Sequence, residues 1–282
     1  MIKPKYLIIS ILIVLTTLAC DKNDNSSEKP HGSDKAIPVY NQAYQENFEA
    51  DKISEIINNA KNAYVLVDPF QPGVAKSISD IKVKGNQVGG YISIGTGENW
   101  RDDFDNLKPF LVSKEWGQWE GEYFVNKTNT GIIDVMKARI DSMEKWGCDW
   151  VEFDNMDWIF DVDLRKEYGY EVTIDEGIAY FNELCNYLHQ KGMKCMAKNT
   201  VEGASSFDGV LYESYHKQKN WWDNEGTREF LNAGKLVIVN HYNESNCDEV
   251  YIEYMNIYSS DISYICEDKN LKKYVHYNEG KE

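Results

Sequence analysis

Positive charge is scarce in this 282-residue chain: 30 lysines and arginines stand against 46 aspartates and glutamates, a formal charge of −16. Such a chain repels phosphate backbones and anionic lipid surfaces, so nucleic acid is disfavoured as a partner, none is expected, and a neutral or cationic partner fits better. Histidine is scarce as well. Its five residues show no ligand spacing, and the six cysteines form no CxxC or Cys/His cluster, so no metal and no cofactor are expected. Long apolar runs are missing. The most extended one, Leu7 to Ala19, falls short of the roughly 20 residues a membrane-spanning helix needs. No GxGxxG turn follows the first strand candidate, which argues against an open, doubly wound dinucleotide-binding sheet.

What is present at the N-terminus is organised. Lys3 and Lys5 precede the apolar run, and Ala19 stands directly before Cys20, with Asp21, Lys22 and Asn23 after it. This is the pattern of an export signal with a lipoprotein cleavage site, although Thr17 and Leu18 are a less common pair at that site. The expectation is a signal peptide over 1–19, a lipid-modified Cys20, and a polar tether over 20–36 that has too little apolar surface to form a core. Residues 37–282 would form one catalytic domain outside the cytoplasm, attached to the cell envelope by its lipid. Removing residues 1–19 takes away two lysines and no acid, which leaves a charge of −18. Five cysteines then remain, Cys148, Cys185, Cys195, Cys247 and Cys266, an odd number that leaves at least one free in a monomer; three of them sit in apolar, strand-like contexts, which favours buried thiols.

From about residue 48 the sequence alternates β-rich runs with helical patterns. Eight strands are predicted: 64–68, 88–94, 123–126, 150–154, 194–198, 209–213, 236–240 and 262–266. Between them, Ile132, Ile133, Met136, Ile140 and Met143 recur at helical spacing, as do Ile178, Phe181, Leu184 and Leu188. The second helix carries a capping-box signature in Thr173 and Glu176 and a stop in Gly192. Eight strand and helix units predict a single-domain (β/α)8 TIM barrel of the α/β class.

In that fold the chemistry gathers at the C-terminal ends of the strands. Polar residues stand there at Asp68, at Asp154 with Asn155, at Lys198 with Asn199, at Glu213, and at Asn240 with His241. Alternation places Val151 and Phe153 under the outer helices and Trp150, Glu152 and Asp154 inside the barrel. Two acids stacked in an interior need a partner, and Lys198 on the next strand supplies one. Glu152 reads as a structural ion pair beneath the site, with Asp154 nearer the mouth. Asp154 and Glu213 could flank a glycosidic bond, as hydrolysis by two carboxyls requires. Trp100, Trp158, Tyr215, Trp221 and Trp222 fall in or beside loops where flat faces could hold sugar rings.

The segments YISIGTGENW (91–100), WEGEYFVN (119–126), GCDWVEFDNMDW (147–158), MAKN (196–199), FDGVLYES (207–214) and ISYICEDKNL (262–271) resemble family 114 of the glycoside hydrolases, the endo-α-1,4-polygalactosaminidase type. The resemblance covers nearly all of residues 37–282. It implies a TIM barrel that cleaves internal α-1,4 linkages of partly deacetylated galactosamine polymers with retention, using Asp154 as nucleophile and Glu213 as acid/base. Substrate contacts are then expected from Asp68, Tyr91, Trp100, Glu152, Asn155, Asp157, Lys198, Asn199, Tyr215 and Asn240. The family often shows Asn-Glu-Gln-Cys where this chain has Tyr212, Glu213, Ser214 and Tyr215, so the acid is kept and its neighbours differ. Two alternatives stand beside this reading: a carbohydrate-binding lipoprotein without turnover, and a glycosidase for another α-linked glycan.

Overall fold

The computed structural model describes residues 36–44, 50–213, 223–242, 245–268 and 274–278. The export signal, Cys20, Tyr215, Trp221 and Trp222 lie outside the described residues.

Eight parallel strands form a nearly closed barrel: β1 (Val39–Asn41), β2 (Tyr64–Val67), β3 (Gln87–Ser93), β6 (Trp150–Asp154), β7 (Lys194–Lys198), β8 (Gly209–Glu213), β9 (Leu236–Tyr242) and β10 (Ser263–Glu267). They pair in that order. The seam between β10 and β1 is crossed by a hydrogen bond from Ile37 N–H to Ser263 Oγ, 2.9 Å. A short β11 (Tyr274–His276) runs antiparallel to β10. Among the described residues there are eight α-helices: α1 (Ala50–Asn59), α2 (Ile78–Lys82), α3 (Phe104–Leu107), α4 (Thr130–Trp146), α5 (Val162–Tyr168), α6 (Ile174–Gln190), α7 (Asn224–Asn232) and α8 (Cys247–Tyr258).

One predicted barrel strand is not part of the barrel. Residues Glu122–Phe124 form β5, which pairs antiparallel with β4 (Thr96–Glu98) in a separate two-stranded ribbon. The first barrel strand is instead β1, only three residues long and too short to show an alternating pattern. One strand is lost and one gained, both ahead of β6, so β6 remains the fourth barrel strand and β8 the sixth.

Side-chain alternation divides the apolar residues into two clusters. Tyr64, Leu66, Tyr91, Trp150, Met196, Leu211, Ile238 and Ile265 fill the barrel interior. Val65, Val151, Phe153, Ala197, Val210 and Val239 face outward and pack with the buried helical residues, including Ile132, Met136, Ile140 and Met143 of α4 and Phe181, Leu184 and Leu188 of α6. Two-residue alternation on the strands and 3.6-residue recurrence on the helices therefore meet at one interface.

The expectation of buried thiols holds only for Cys148, which is free and buried. Cys185 of α6 is joined to Cys195 of β7, and Cys247 of α8 to Cys266 of β10. Each disulfide ties a helix to the strand that follows it. The apolar surroundings are real, but these helices cross back over their own strands and bring the paired Cα atoms to 5.5 and 5.9 Å, within bonding range. His189, one turn beyond Cys185, also approaches, and the donor atoms of Cys185, His189 and Cys195 lie within 4.8 Å of one another. The fold therefore assembles a Cys/His cluster that the spacing did not suggest. Both sulfurs are spent in the disulfide, and His189 Nε2 pairs with Asp208 Oδ2 at 2.8 Å.

The capping box of α6 is complete: Thr173 Oγ1 accepts from Glu176 N–H, and Glu176 Oε2 accepts from Thr173 N–H at 2.8 Å. Thr173→Ala removes one of these caps, and a loss of about 1 kcal/mol is expected in urea unfolding. An unchanged midpoint would show that α6 is held by packing alone.

Candidate active site

Asp154, Lys198 and Glu213 end neighbouring strands β6, β7 and β8, and the fold brings them together. Lys198 is buried at the centre. Its Nζ lies 3.1 Å from Asp154 Oδ1, 3.3 Å from Glu213 Oε2 and 3.5 Å from Glu152 Oε1. The ammonium also sits 4.0 Å from the centroid of the Tyr44 ring. Three carboxyls around one cation satisfy a charge that burial would otherwise make costly, and they hold Lys198 protonated well above its ordinary range despite desolvation.

The two outer carboxyls keep access to solvent, with side chains 17% (Asp154) and 20% (Glu213) exposed, whereas Glu152 has none. Sharing one Nζ, Asp154 Oδ1 at 3.1 Å and Glu213 Oε2 at 3.3 Å can be no more than 6.4 Å apart. The other oxygen of Asp154 accepts from Tyr91 OH at 2.8 Å. Glu213 Oε2 accepts from Asn199 Nδ2 at 3.1 Å, while Glu213 N–H donates to Asn199 Oδ1 at 2.9 Å. Both carboxyls are thus oriented by neighbours on or just after adjacent strands.

The turns after β6 and β7 share a device. Asn155 and Asn199 both adopt the left-handed region, at φ 56 and φ 59, which asparagine tolerates better than most residues. Asn155 turns its amide back to donate to Ser93 Oγ and Thr96 Oγ1. Thr96 in turn donates to Glu122 Oε2 at 2.5 Å. This chain of contacts fixes the β4–β5 ribbon against the end of β6. Gly95 is required in the same place, because a Cβ there would lie 1.9 Å from the Asn155 carbonyl oxygen.

A second ionic network flanks the mouth. Asp68 faces Arg101, whose Nη1 donates to both of its oxygens at 2.9 Å, while Arg101 Nε and Nη2 bind Glu98. Arg139 extends it through Asp103. Arg101 stands over the Phe70 and Tyr91 rings at 5.8 and 5.9 Å. Its role was invisible in sequence because it lies in a loop beside many other charges. Beyond it, a groove of about 630 Å³ is lined by Asp68, Phe70, Trp100, Asp102 and Arg139 among others. Trp100 is 54% exposed and offers a face to that groove. Trp158 does not: it is buried in the core, and its Nε1 donates to the Val125 carbonyl.

On the opposite side, Asn240 lies beside Glu213 in register, fully buried, and neither atom of its amide has a hydrogen-bond partner among the described residues. Glu267 of β10, unremarked in sequence, is also buried. The expected contact residues therefore divide. Tyr91, Glu152, Lys198 and Asn199 surround the carboxyl pair, Asp68 and Trp100 line the groove, Asn155 braces the ribbon, and Asp157 lies in the short 3-10 turn Met156–Ile159 after β6.

The profile of glycoside-hydrolase family GH114 matches residues 30–282. The structure superposes on Aspergillus fumigatus Ega3 in complex with galactosamine with a TM-score of 0.67 and 21% identity, over 90% of this chain and 100% of that one. The glycoside hydrolase domain of Pseudomonas aeruginosa PelA gives 0.61 and 12%, over 86% and 98%. An α-galactosidase of Thermus thermophilus, TtGalA, gives 0.52 and 12%, over 82% and 58%. At these identities the likenesses show the shared barrel. No curated protein matches the chain.

Burial pushes five acids upward: Glu98, then Glu152 and Asp157, each of these two to about 7, and Glu122 and Glu267 to about 8. A carboxyl whose folded value exceeds its unfolded one binds more protons when folded, so its contribution is present at low pH and lost as pH rises through the folded value. The urea midpoint is expected to fall between about pH 5 and 8, and Glu122→Gln to flatten part of that slope. A midpoint that rises over this range would contradict the assignment.

Proposed function

The chain belongs to glycoside-hydrolase family GH114 and is a glycoside hydrolase, and we propose that it cleaves internal α-1,4 linkages of a galactosamine-containing polysaccharide with retention of configuration. The observation that carries the reading is the meeting of Asp154 and Glu213 on Lys198 at the C-terminal mouth of the barrel. Retaining enzymes hold their two carboxyls about 5 Å apart, and inverting enzymes about 6.5 to 9.5 Å, to admit a water. Retention is suggested by the sequence resemblance.

In this mechanism Asp154, oriented by Lys198 and Tyr91, attacks the anomeric carbon as Glu213 protonates the departing glycosidic oxygen. The covalent glycosyl-Asp154 is then hydrolysed by a water whose proton passes to Glu213, which restores the starting state. Trp100 and the groove beside it would take a neighbouring sugar on the aromatic face. The polymer is suggested by the sequence resemblance and by Ega3, whose structure holds galactosamine. The strongly acidic chain suits a cationic amino sugar. The motif ending at Cys20 supports export and lipid anchoring of the enzyme to the bacterial cell envelope.

Incubation with partly deacetylated α-1,4-galactosamine polymer should generate new reducing ends. Asp154→Asn and Glu213→Gln should each lower that rate by about 10³-fold or more, and Trp100→Ala should raise KM about tenfold with kcat little changed. Full turnover in either carboxyl variant would remove it from the mechanism. Ends released only from a different α-linked glycan would relocate the substrate, and binding with no new ends from any glycan would leave a carbohydrate-binding protein. Cys20→Ser is expected to move the protein from the membrane fraction to the soluble one, and unchanged fractionation would refute the anchor.

A further inference from the structure

The two flanks of the mouth differ. Counted around the barrel, Asp68 follows the second strand, Tyr91 lies on the third, Asp154 ends the fourth and Glu213 ends the sixth. In a ring of eight strands the second and the sixth face each other. The groove lined by Asp68, Phe70 and Trp100 therefore stands across the mouth from Glu213, with Asp154 between them. The path from acid to groove is continuous. Tyr91 OH reaches Asp154 Oδ2 at 2.8 Å, Arg101 stands 5.9 Å from the centroid of the Tyr91 ring, and its Nη1 binds both oxygens of Asp68 at the groove.

Trp100 is held ready there. Arg101 N–H closes a turn on the Glu98 carbonyl at 3.1 Å, and the Arg101 side chain, 9% exposed, is pinned by Glu98 and Asp68. Trp100 sits inside that turn and is itself 54% exposed. An aromatic face presented from a pinned turn is in place before any sugar arrives, so little ordering cost remains on binding.

Stereochemistry decides which part of the polymer meets this face. In the chair form of an α-linked galactosamine ring the bond at C1 is axial, and the galacto configuration makes the bond at C4 axial too, on the opposite face. Displacement at C1 is in line, so the attacking group lies opposite the departing oxygen. Glu213 then sits on the face that carries O1, and Asp154 on the face that carries O4. The sugar joined through O4 is the one on the non-reducing side of the cleaved bond. It leaves the ring on the face of Asp154 and at the end remote from C1, and both displacements carry it away from Glu213. The same direction follows whether Asp154 attacks directly or through a water, because either acts opposite O1.

We propose that the polysaccharide crosses the mouth in one direction, its non-reducing side on Trp100 and the groove beside Arg101, its reducing side departing past Glu213. The inference deepens the reading given above and rests on it, both for the polymer and for the roles of Asp154 and Glu213. Tyr91 and Arg101 lie between Asp154 and the groove, so Trp100 meets a sugar beyond the one that is attacked. Trp100 thereby sets which bond along a chain is cut.

The test is cleavage of an α-1,4-galactosamine oligomer of one defined length, tagged with a fluorophore at its reducing end, with the tagged fragments sized by chromatography. Every productive binding mode fills the two positions at the cleaved bond, so only more distant contacts bias the choice of bond. Trp100→Ala should weaken modes that fill the groove about tenfold relative to those that leave it empty. Cleavage then moves toward the non-reducing end, and the tagged fragments become longer. Trp100→Phe keeps an aromatic face and should restore most of the original sizes. Trp100 is exposed, so neither substitution touches the core. Shorter tagged fragments from Trp100→Ala would put the groove on the departing side, and unchanged sizes would put Trp100 outside the path of the chain; either result overturns the proposal. If the unaltered enzyme cleaves no such oligomer, the reading of the polymer fails and the direction fails with it. Cleavage by the unaltered enzyme with an unmoved or reversed pattern in Trp100→Ala defeats the direction alone.

Discussion

A single buried ammonium organises the mouth of this barrel. Lys198 lies where three carboxyls converge, and each of them is placed by it: Asp154 and Glu213 at the mouth, and Glu152 beneath them, where burial of a charge calls for a cation. Remove the cation, and three acids within a few ångströms of one another would repel, and one or more would protonate. The barrel accepts a fully desolvated lysine because parallel strands present successive residues of one face to one axis. β6, β7 and β8 each contribute their last residue to the same point.

The surroundings serve that geometry. Tyr91 holds the far oxygen of Asp154, and Asn199 holds Glu213 by side chain and backbone together. The β4–β5 ribbon, which departs from the regular strand and helix repeat, is locked to the end of β6 through Asn155, Thr96 and Glu122. Arg101 then anchors Asp68 and Glu98 at the edge of the groove that displays Trp100. Of these polar clusters only the Lys198 cluster combines a solvent-reachable carboxyl pair with a fixed counter-charge, which is why the chemistry is assigned there. The others position elements.

Much of this was legible along the chain. The runs WVEFD, KCMAK and GVLYE appear as strands at their predicted bounds, and the alternation that turned Glu152 inward and Val151 outward is observed. The α6 capping box was readable because its partners are three residues apart. Failures fell where distance in the chain was large or the signal short. β1 is three residues long, YFVN is equally strand-like in a ribbon or a barrel, and nothing local distinguishes Trp158, buried in the core, from Trp100, exposed at the groove.

Periodicity and composition by themselves determined the element types, the inward and outward faces of each strand, and which acids stand at strand ends, because these follow from backbone geometry within a few residues. Pairing was decided by tertiary structure alone. Which cysteines bond, which arginine meets Asp68, and the fact that one lysine joins three carboxyls all depend on how strands distant in sequence come side by side. Electrostatics in a water-excluded interior acts through space over a few ångströms, and only the closed barrel sets those distances.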